Sequence, residues 1–126
     1  MMDRPKILPP TLRPKKRYIV FEIISNGTIE YGPLVSSIWK SMINLFGEKG
    51  AAESRAWVIK NLYNENHGII RCSHDKTEEV RTALTFIKMI EDKNVIIRVL
   101  GITGTIKTAK IKYLGYRTLE NFTEKQ

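Results

Sequence analysis

The sequence predicts an α+β fold in which two helices cover one face of a four-stranded antiparallel sheet. Two observations support this prediction. Strand and helix patterns follow one another in the order β-α-β-β-α-β, which is typical of two interleaved β-α-β units. The helix patterns are amphipathic, whereas the strand patterns are apolar at nearly every position, so the helices can bury their apolar faces against a sheet.

The first half of the chain predicts one strand and one helix. Residues 18–25 (YIVFEIIS) are β-branched or aromatic at most positions and end at a turn-forming Asn-Gly pair, which favours a strand. Residues 33–47 begin with a proline, repeat apolar side chains at helical spacing and end with Gly47, which predicts an amphipathic helix. The segment 48–54 is predicted to be a loop.

The second half predicts three further strands and two helices. Residues 55–64 and 68–73 have the pattern of a hairpin, and residues 94–102 that of the fourth strand. A helix is predicted over 75–91, because its first residues, DKTE, have the spacing of a capping box and apolar residues then recur on one face. A short C-terminal helix follows, and Gly115 is expected to end it.

Together these elements predict a ferredoxin-like (RRM-like) β-α-β-β-α-β sandwich with an added C-terminal helix. Strands that are apolar at nearly every position are usually covered on both faces. The second face of the sheet should therefore meet the C-terminal helix or another polypeptide. We divide the chain into an extended basic arm (1–16), a single domain (17–116) and a C-terminal tail (117–126); the prolines of the arm disfavour helix.

Composition restricts the class of protein. The 126 residues suit one domain with a self-sufficient core. The single cysteine, Cys72, excludes an internal disulfide and is typical of a reducing compartment, so we expect a cytoplasmic protein. No stretch of the sequence reaches the roughly eighteen apolar residues of a membrane span.

The net charge of +8 is concentrated at the two ends of the chain. Residues 1–17 carry six Lys or Arg against one acid, residues 18–92 carry eight against ten, and residues 93–126 carry seven against two. Clustered cations are the expected footprint of a polyanionic partner, because neutralising phosphates releases condensed counterions. A merely solvated basic surface is the alternative explanation.

Few residues could carry catalysis. Cys72 and His74 could project to one face of a strand, but no third residue can be named that would orient a Cys-His pair. The third strand, GIIRCSH, lacks the aromatic residues that stack on bases in RNA-binding modules of this topology. Any contact with nucleic acid is therefore expected from the basic ends.

The segment TGTIKTAKIKY suits a phosphate contact. Gly104 leaves room for close backbone approach, and a helix that starts at Thr105 would direct free N–H groups at an anion. Lys107 and Lys110 lie one helical turn apart. A basic helix that only keeps the protein soluble would have the same pattern.

Three segments, LPPTLRPKKRYIVFEI, RCSHDKTEEVRTALTFI and VLGITGTIKTAKIKYL, occur over roughly residues 8–114. Together, in this order and at this spacing, they resemble the archaeal ribonuclease P protein component 2 family, which includes the eukaryotic Pop-five subunit. The resemblance implies a subunit of the ribonucleoprotein that removes the 5′ leader from precursor tRNA.

The resemblance also implies partners and a division of labour. The RNA subunit would hold the catalytic magnesium ions and cleave the phosphodiester, while this protein would bind no cofactor, support the catalytic domain of the RNA and have no activity alone. Its expected protein partner is the TIM-barrel-like protein component 3, with which it could form a heterotetramer.

On this interpretation the basic residues are the expected RNA contacts. They are Arg13, Lys15, Lys16, Arg17, Arg71, His74, Lys107, Lys110 and Lys112. For Arg71, an ion pair with Glu22 across the sheet is an alternative role. Two other functions remain open at this point: an independent RNA- or ribosome-binding protein, and a ligand-sensing regulatory domain.

Overall fold

The computed structural model describes residues 15–110 as five strands and three helices. Two turns of 3₁₀ helix lie between them, at Lys60–Leu62 and His74–Lys76. The elements in chain order are β1 (Lys16–Ser25), α1 (Tyr31–Ser54), β2 (Trp57–Val58), β3 (His67–Ser73), α2 (Thr77–Phe86), β4 (Met89–Ile90), β5 (Lys93–Thr103) and α3 (Ile106–Ala109).

The five strands form one antiparallel sheet in the order β2-β3-β1-β5-β4. The predicted α+β class is confirmed, but the predicted number of four strands is wrong. The additional strand is β4, which lies where the sequence predicts the end of a helix. Ile87 has an extended backbone that ends α2. Ile90 then pairs with Lys93 of β5, and its side chain enters the main core from a strand instead of from a helix.

The predicted strand over 55–64 is much shorter in the structure. Trp57 and Val58 pair with β3, the chain then turns through the 3₁₀ segment, and Asn64 returns to β3 in an isolated bridge with His67. The Tyr63 hydroxyl donates a hydrogen bond to the Ile29 carbonyl, and the Tyr31 hydroxyl donates to the Val58 carbonyl at 2.7 Å. These two hydrogen bonds hold the segment beside the start of α1. They join residues that are distant in the sequence, so a local apolar pattern cannot predict them.

Helix α1 continues beyond its predicted end. Gly47 does interrupt the helix, because its φ of 76° and ψ of 171° are not helical. Residues 48–54, predicted as a loop, nevertheless return to helix and bury Ala51 and Ser54. Burial of these two side chains explains why the chain resumes the helix after the glycine.

The predicted capping box at the start of α2 does not form. Asp75 lies in the 3₁₀ turn before the helix, and Lys76 occupies the N-cap position without a side-chain hydrogen bond. The acidic residues Glu78 and Glu79 lie in the first turn instead, where negative charge interacts favourably with the helix dipole.

The two long helices pack side by side on one face of the sheet, as predicted. The main core joins Leu34 and Met42 of α1 and Leu84 of α2 to Phe21 of β1, all fully buried. Such burial stabilises a side chain by about 1.5–3 kcal/mol relative to exposure. This core fixes the sheet, and with it the residues at the strand ends.

The opposite face of the sheet carries a second, smaller core. Val20 of β1 and Ile69 of β3 are fully buried there together with Ala109 of α3. Of the two covers that the sequence allows for this face, the C-terminal helix and another polypeptide, the structure shows part of the first, through α3. The predicted end of this helix at Gly115, residues 1–14 of the arm and the tail lie outside the described residues. Lys16, the last residue of the predicted arm, belongs to β1.

Gly68 provides a test of the packing. A Cβ atom at this position would lie 2.9 Å from both Phe21 Cζ and Tyr63 Cδ1, which are ring atoms in a packed region. We expect Gly68→Ala to lower the free energy of unfolding by about 1–3 kcal/mol, because inserting a methyl group into a filled core forces its neighbours apart. Urea denaturation measures the change.

Gly104→Ala is the matched control, because a Cβ atom at Gly104 would meet no atom within 4 Å apart from those of its chain neighbours. Gly104 is exposed and its φ is not positive, so this substitution should be neutral or stabilising by up to about 1 kcal/mol. Equal stabilities for the two variants would contradict the packing at Gly68.

Candidate RNA-binding surface

The antiparallel register brings three segments of the chain to one end of the sheet. Lys16 pairs with Ser73, and Tyr18 pairs with both Arg71 and Thr103. The start of β1 therefore lies beside the ends of β3 and β5. The junction of the arm, the RCSH segment and the connection to α3 meet in this region. We call it the basic end of the sheet, because the first two of these segments carry Lys15, Lys16 and Arg71.

A small cleft opens at the basic end, with a volume of about 130 Å³. We call it the basic cleft. Its lining residues are Lys15, Lys16, Arg55, Arg71, Cys72 and Ser73. Four of the six are cations, and within residues 15–110 no carboxylate lines the cleft. An anion that enters the cleft is therefore attracted by all four positive charges.

The size of the cleft restricts its ligand. Pockets that enclose small molecules usually measure roughly 300–1,000 Å³. A cleft of about 130 Å³ suits one charged group, such as a phosphate on a larger molecule. This geometry disfavours a ligand-sensing domain that encloses a metabolite at this position.

Lys15 and Lys16 are held in place by main-chain bonds. Lys16 is the first residue of β1, and the Lys15 carbonyl accepts a hydrogen bond from the His74 backbone N–H at 2.9 Å. Both lysine side chains are exposed. The cleft therefore has fixed backbone positions for these cations, and their long side chains can adjust to a ligand.

Arg55 is the cleft residue that the sequence analysis missed. It is the C-cap of α1, with a left-handed backbone (φ 54°) and its N–H bonded to the Ala52 carbonyl at 3.2 Å. In the sequence it is an isolated cation in a net acidic region. Only the fold of α1 against the sheet places it beside Arg71.

Arg71 does not pair with Glu22, so that alternative role is wrong. The Glu22 carboxylate lies 2.6 Å from Arg98 and 3.3 Å from His67, which flank it on the two neighbouring strands. Arg71 lies further along β3, opposite Tyr18. Its guanidinium is therefore available to the basic cleft.

Cys72 adds no charge to the cleft. Its side chain is buried, and this burial, together with the nearby Asp75 and Glu79, raises the pKa of the thiol to about 11. The thiol is thus protonated at neutral pH. A catalytic cysteine has a lowered pKa, so the raised pKa of Cys72 disfavours a role as a nucleophile. His74 does not share a strand face with it, because the strand ends at Ser73 and His74 begins a 3₁₀ turn.

The other predicted contact residues in the described range do not line the cleft. The Arg17 guanidinium donates to the Lys16 carbonyl at 3.0 Å, and the His74 side chain is exposed. Lys107 and Lys110 are exposed residues at α3, whose N-cap Thr105 accepts the Thr108 N–H at 3.1 Å. Arg13 and Lys112 lie outside the described residues.

Two other kinds of feature are absent from residues 15–110. No group of three or more His, Cys, Asp or Glu is placed to hold a metal ion in this range. No helix in this part of the chain is long and apolar enough to cross a membrane.

A protein-family model described as the Rpp14/Pop5 family matches residues 17–114. The chain belongs to the Rpp14/Pop5 family. Two curated relatives named ribonuclease P protein component 2 match it over most of their length. The protein from Pyrococcus horikoshii is 46% identical over 90% of this chain and 95% of its own. The protein from Methanocaldococcus jannaschii is 38% identical over 93% of this chain and 86% of its own.

The Rpp14/Pop5 chain also has a structural relative. A chain in the cryo-EM structure of yeast ribonuclease MRP superposes with a TM-score of 0.59 at 8% sequence identity. The match covers 89% of this chain and 95% of the yeast chain. At this low identity the match shows a shared fold.

The reactivity of Cys72 tests the description of the cleft. The pKa of the thiol rises from 9.0 to about 11 on folding, so at pH 8 the folded protein has about a hundredfold less thiolate than the unfolded chain. We expect iodoacetamide to alkylate folded Cys72 at least about a hundredfold more slowly than in urea.

The pH dependence has a definite sign. The rate for the unfolded chain should level off above about pH 9, whereas the rate for the folded protein should keep rising towards pH 11. Mass spectrometry after quenching at fixed times measures both rates. Similar rates at pH 8 in the presence and absence of urea would contradict the protonated, buried thiol.

Proposed function

We propose that this chain is a protein subunit of a ribonuclease P ribonucleoprotein, the complex that removes the 5′ leader from precursor tRNA. Membership of the Rpp14/Pop5 family and near full-length similarity to proteins named ribonuclease P protein component 2 support the proposal. Identities of 38–46% over this length are far above the level at which fold alone is shared.

The basic cleft is the structural observation that carries the proposal. Two arginines and two lysines surround a space that suits one phosphate. Arginine binds phosphate through two parallel N–H donors, and lysine adds a compact charge. Phosphates placed here would release counterions, so binding should weaken as the salt concentration rises.

In this proposal the RNA performs the chemistry. The catalytic magnesium ions are assigned to the RNA subunit, and the protein supports the catalytic domain of the RNA by neutralising its phosphates. Close packing of RNA strands is opposed by phosphate repulsion, which bound cations reduce. The protein should therefore matter most when magnesium is limiting. Cytoplasm is the proposed location.

The proposed protein partner is the TIM-barrel-like component 3, in a complex that could be a heterotetramer. A candidate surface for it lies between α1 and the end of α2, where Phe86 and Met89 are 60% and 55% exposed. These side chains border a groove of about 410 Å³ together with Lys40 and Lys88. Exposed apolar side chains of this size are typical of protein contacts.

Reconstitution tests the proposed function. The catalytic RNA and component 3 are assayed for leader removal at limiting magnesium, with and without this chain. We expect stimulation by the wild-type chain and roughly tenfold or greater loss of stimulation with the double variant Arg55→Ala, Arg71→Ala, because two charge-assisted phosphate contacts are removed. The slope of log affinity against log salt should fall by about 0.7–0.9 for each phosphate that the variant no longer neutralises.

The double variant Lys49→Ala, Arg81→Ala is the matched control. It removes the same charge from exposed positions that line neither the basic cleft nor the groove beside Phe86 and Met89, so RNA affinity and stimulation should change little. Thermal melts check that both variants fold.

The triple variant of Lys107, Lys110 and Lys112 to Ala tests separately whether the C-terminal element contributes to RNA binding. A wild-type chain that neither stimulates cleavage nor copurifies with component 3 would favour an independent RNA- or ribosome-binding protein.

A further inference from the structure

A second, larger depression lies along the sheet edge between α1 and β2. We call it the edge groove. It has a volume of about 430 Å³ and is mainly apolar. Its lining residues include Trp39 of α1, Arg55 at the end of α1, Trp57 of β2 and Arg71 of β3. Both tryptophans of the chain border it, and both are exposed, Trp39 at 43% and Trp57 at 58%.

The edge groove and the basic cleft share two residues. Arg55 and Arg71 line both, and Trp57 is the register partner of Arg71 across β2 and β3. Paired residues on neighbouring strands project to the same face of a sheet, with Cβ atoms about 4.5–5.5 Å apart. The exposed Trp57 therefore starts from the position next to Arg71 on one face of the sheet, and Arg71 also lines the phosphate-sized cleft.

This combination matches the two parts of a nucleotide. A flat nucleobase stacks on exposed aromatic side chains, and arginines contribute through charge and through their planar surface. The phosphate attached to such a nucleotide would lie towards the cations of the basic cleft. Bases within a duplex are not accessible to a side chain at a sheet edge, so the nucleotide must be unpaired.

Charge complementarity distinguishes this occupant from others. The N-terminal segment 1–14 carries Arg4, Lys6 and Arg13 against one acid, and a second copy of the chain has a net charge of +8. Either would bring positive charge towards Arg55, Arg71 and the two lysines of the cleft. An RNA strand has the opposite charge and also supplies the aromatic surface.

We propose that Trp57 is a stacking platform for an unpaired nucleotide of the bound RNA, whose phosphate lies in the basic cleft between Arg55 and Arg71. The inference rests on the proposed function, because it names the kind of RNA element that this surface recognises. It also assigns base recognition to the edge strand, whereas β3 itself has no aromatic residue.

Fluorescence of a single tryptophan tests the stacking. Trp39→Phe leaves Trp57 as the only indole in the chain. This full-length variant is titrated with a single-stranded oligouridylate of about ten nucleotides, a length within the range of single-strand sites. It is also titrated with an RNA hairpin of similar charge whose two strands are joined by a non-nucleotide linker, so that the hairpin has no unpaired base. Quenching of Trp57 by the single strand and little quenching by the hairpin would support the proposal.

Binding of Trp57 variants tests the contribution to affinity. Trp57→Ala should weaken binding of the single strand roughly tenfold, because it removes the surface on which one base stacks, while affinity for the hairpin stays the same. Trp57→Phe should retain most of the affinity, since a ring remains. Trp57 is largely exposed, so both variants should fold, and thermal melts verify this.

Three results would overturn the inference. The first is equal quenching by the single strand and the hairpin, or none by either. The second is a Trp57→Ala variant with unchanged RNA affinity; loss of copurification with component 3 would then identify the groove as a protein contact. The third comes from the reconstitution assay, which distinguishes failure of the stacking site from failure of the subunit role: if the wild-type chain stimulates cleavage and Trp57→Ala stimulates it equally, the stacking site fails and the subunit role stands.

Discussion

The pairing of β1 with both β3 and β5 is the constraint on which the rest of the structure depends. Because both pairs are antiparallel, the start of β1 must lie beside the ends of the other two strands. The basic residues at the N-terminal side of β1 therefore lie next to Arg71 and next to the connection that leads into α3. Residues separated by more than 50 positions in the sequence are brought together by main-chain hydrogen bonds, without any attraction between their side chains.

Main-chain bonds and core packing are what hold the cations together. Lys15, Lys16, Arg55 and Arg71 repel one another, and within residues 15–110 no carboxylate lines their cleft. The apolar contacts under β1 supply the free energy that opposes this repulsion. In contrast, Glu22, further along β1, lies beside Arg98 and His67. The Glu22 carboxylate thus has a cationic partner in Arg98, whereas no carboxylate among residues 15–110 lines the basic cleft, where a polyanion can supply the missing charge.

The two depressions at this end differ in chemistry but share Arg55 and Arg71. The basic cleft is small and cationic, and the edge groove is larger and apolar with two exposed indoles. Backbone geometry creates both: the left-handed C-cap at Arg55 turns the chain out of α1, and the two-residue strand β2 then presents Trp57 beside Arg71. A longer β2, as predicted over 55–64, would have been an ordinary sheet edge without this junction.

The sequence by itself determined the α+β class, the positions of β1 and the two long helices, and the basic residues that lie at or near the basic end of the sheet. These features depend on local patterns, such as apolar periodicity and runs of basic residues, which a single chain segment contains. Only the tertiary structure decided that residues 48–54 are helical, that Met89–Ile90 form a strand, and that Arg55 and Trp57 join the surface. The physical reason is that each of these outcomes is set by a partner distant in the sequence: burial of Ala51 and Ser54 in the fold, the pairing of β4 with β5, and the pairing of Trp57 with Arg71.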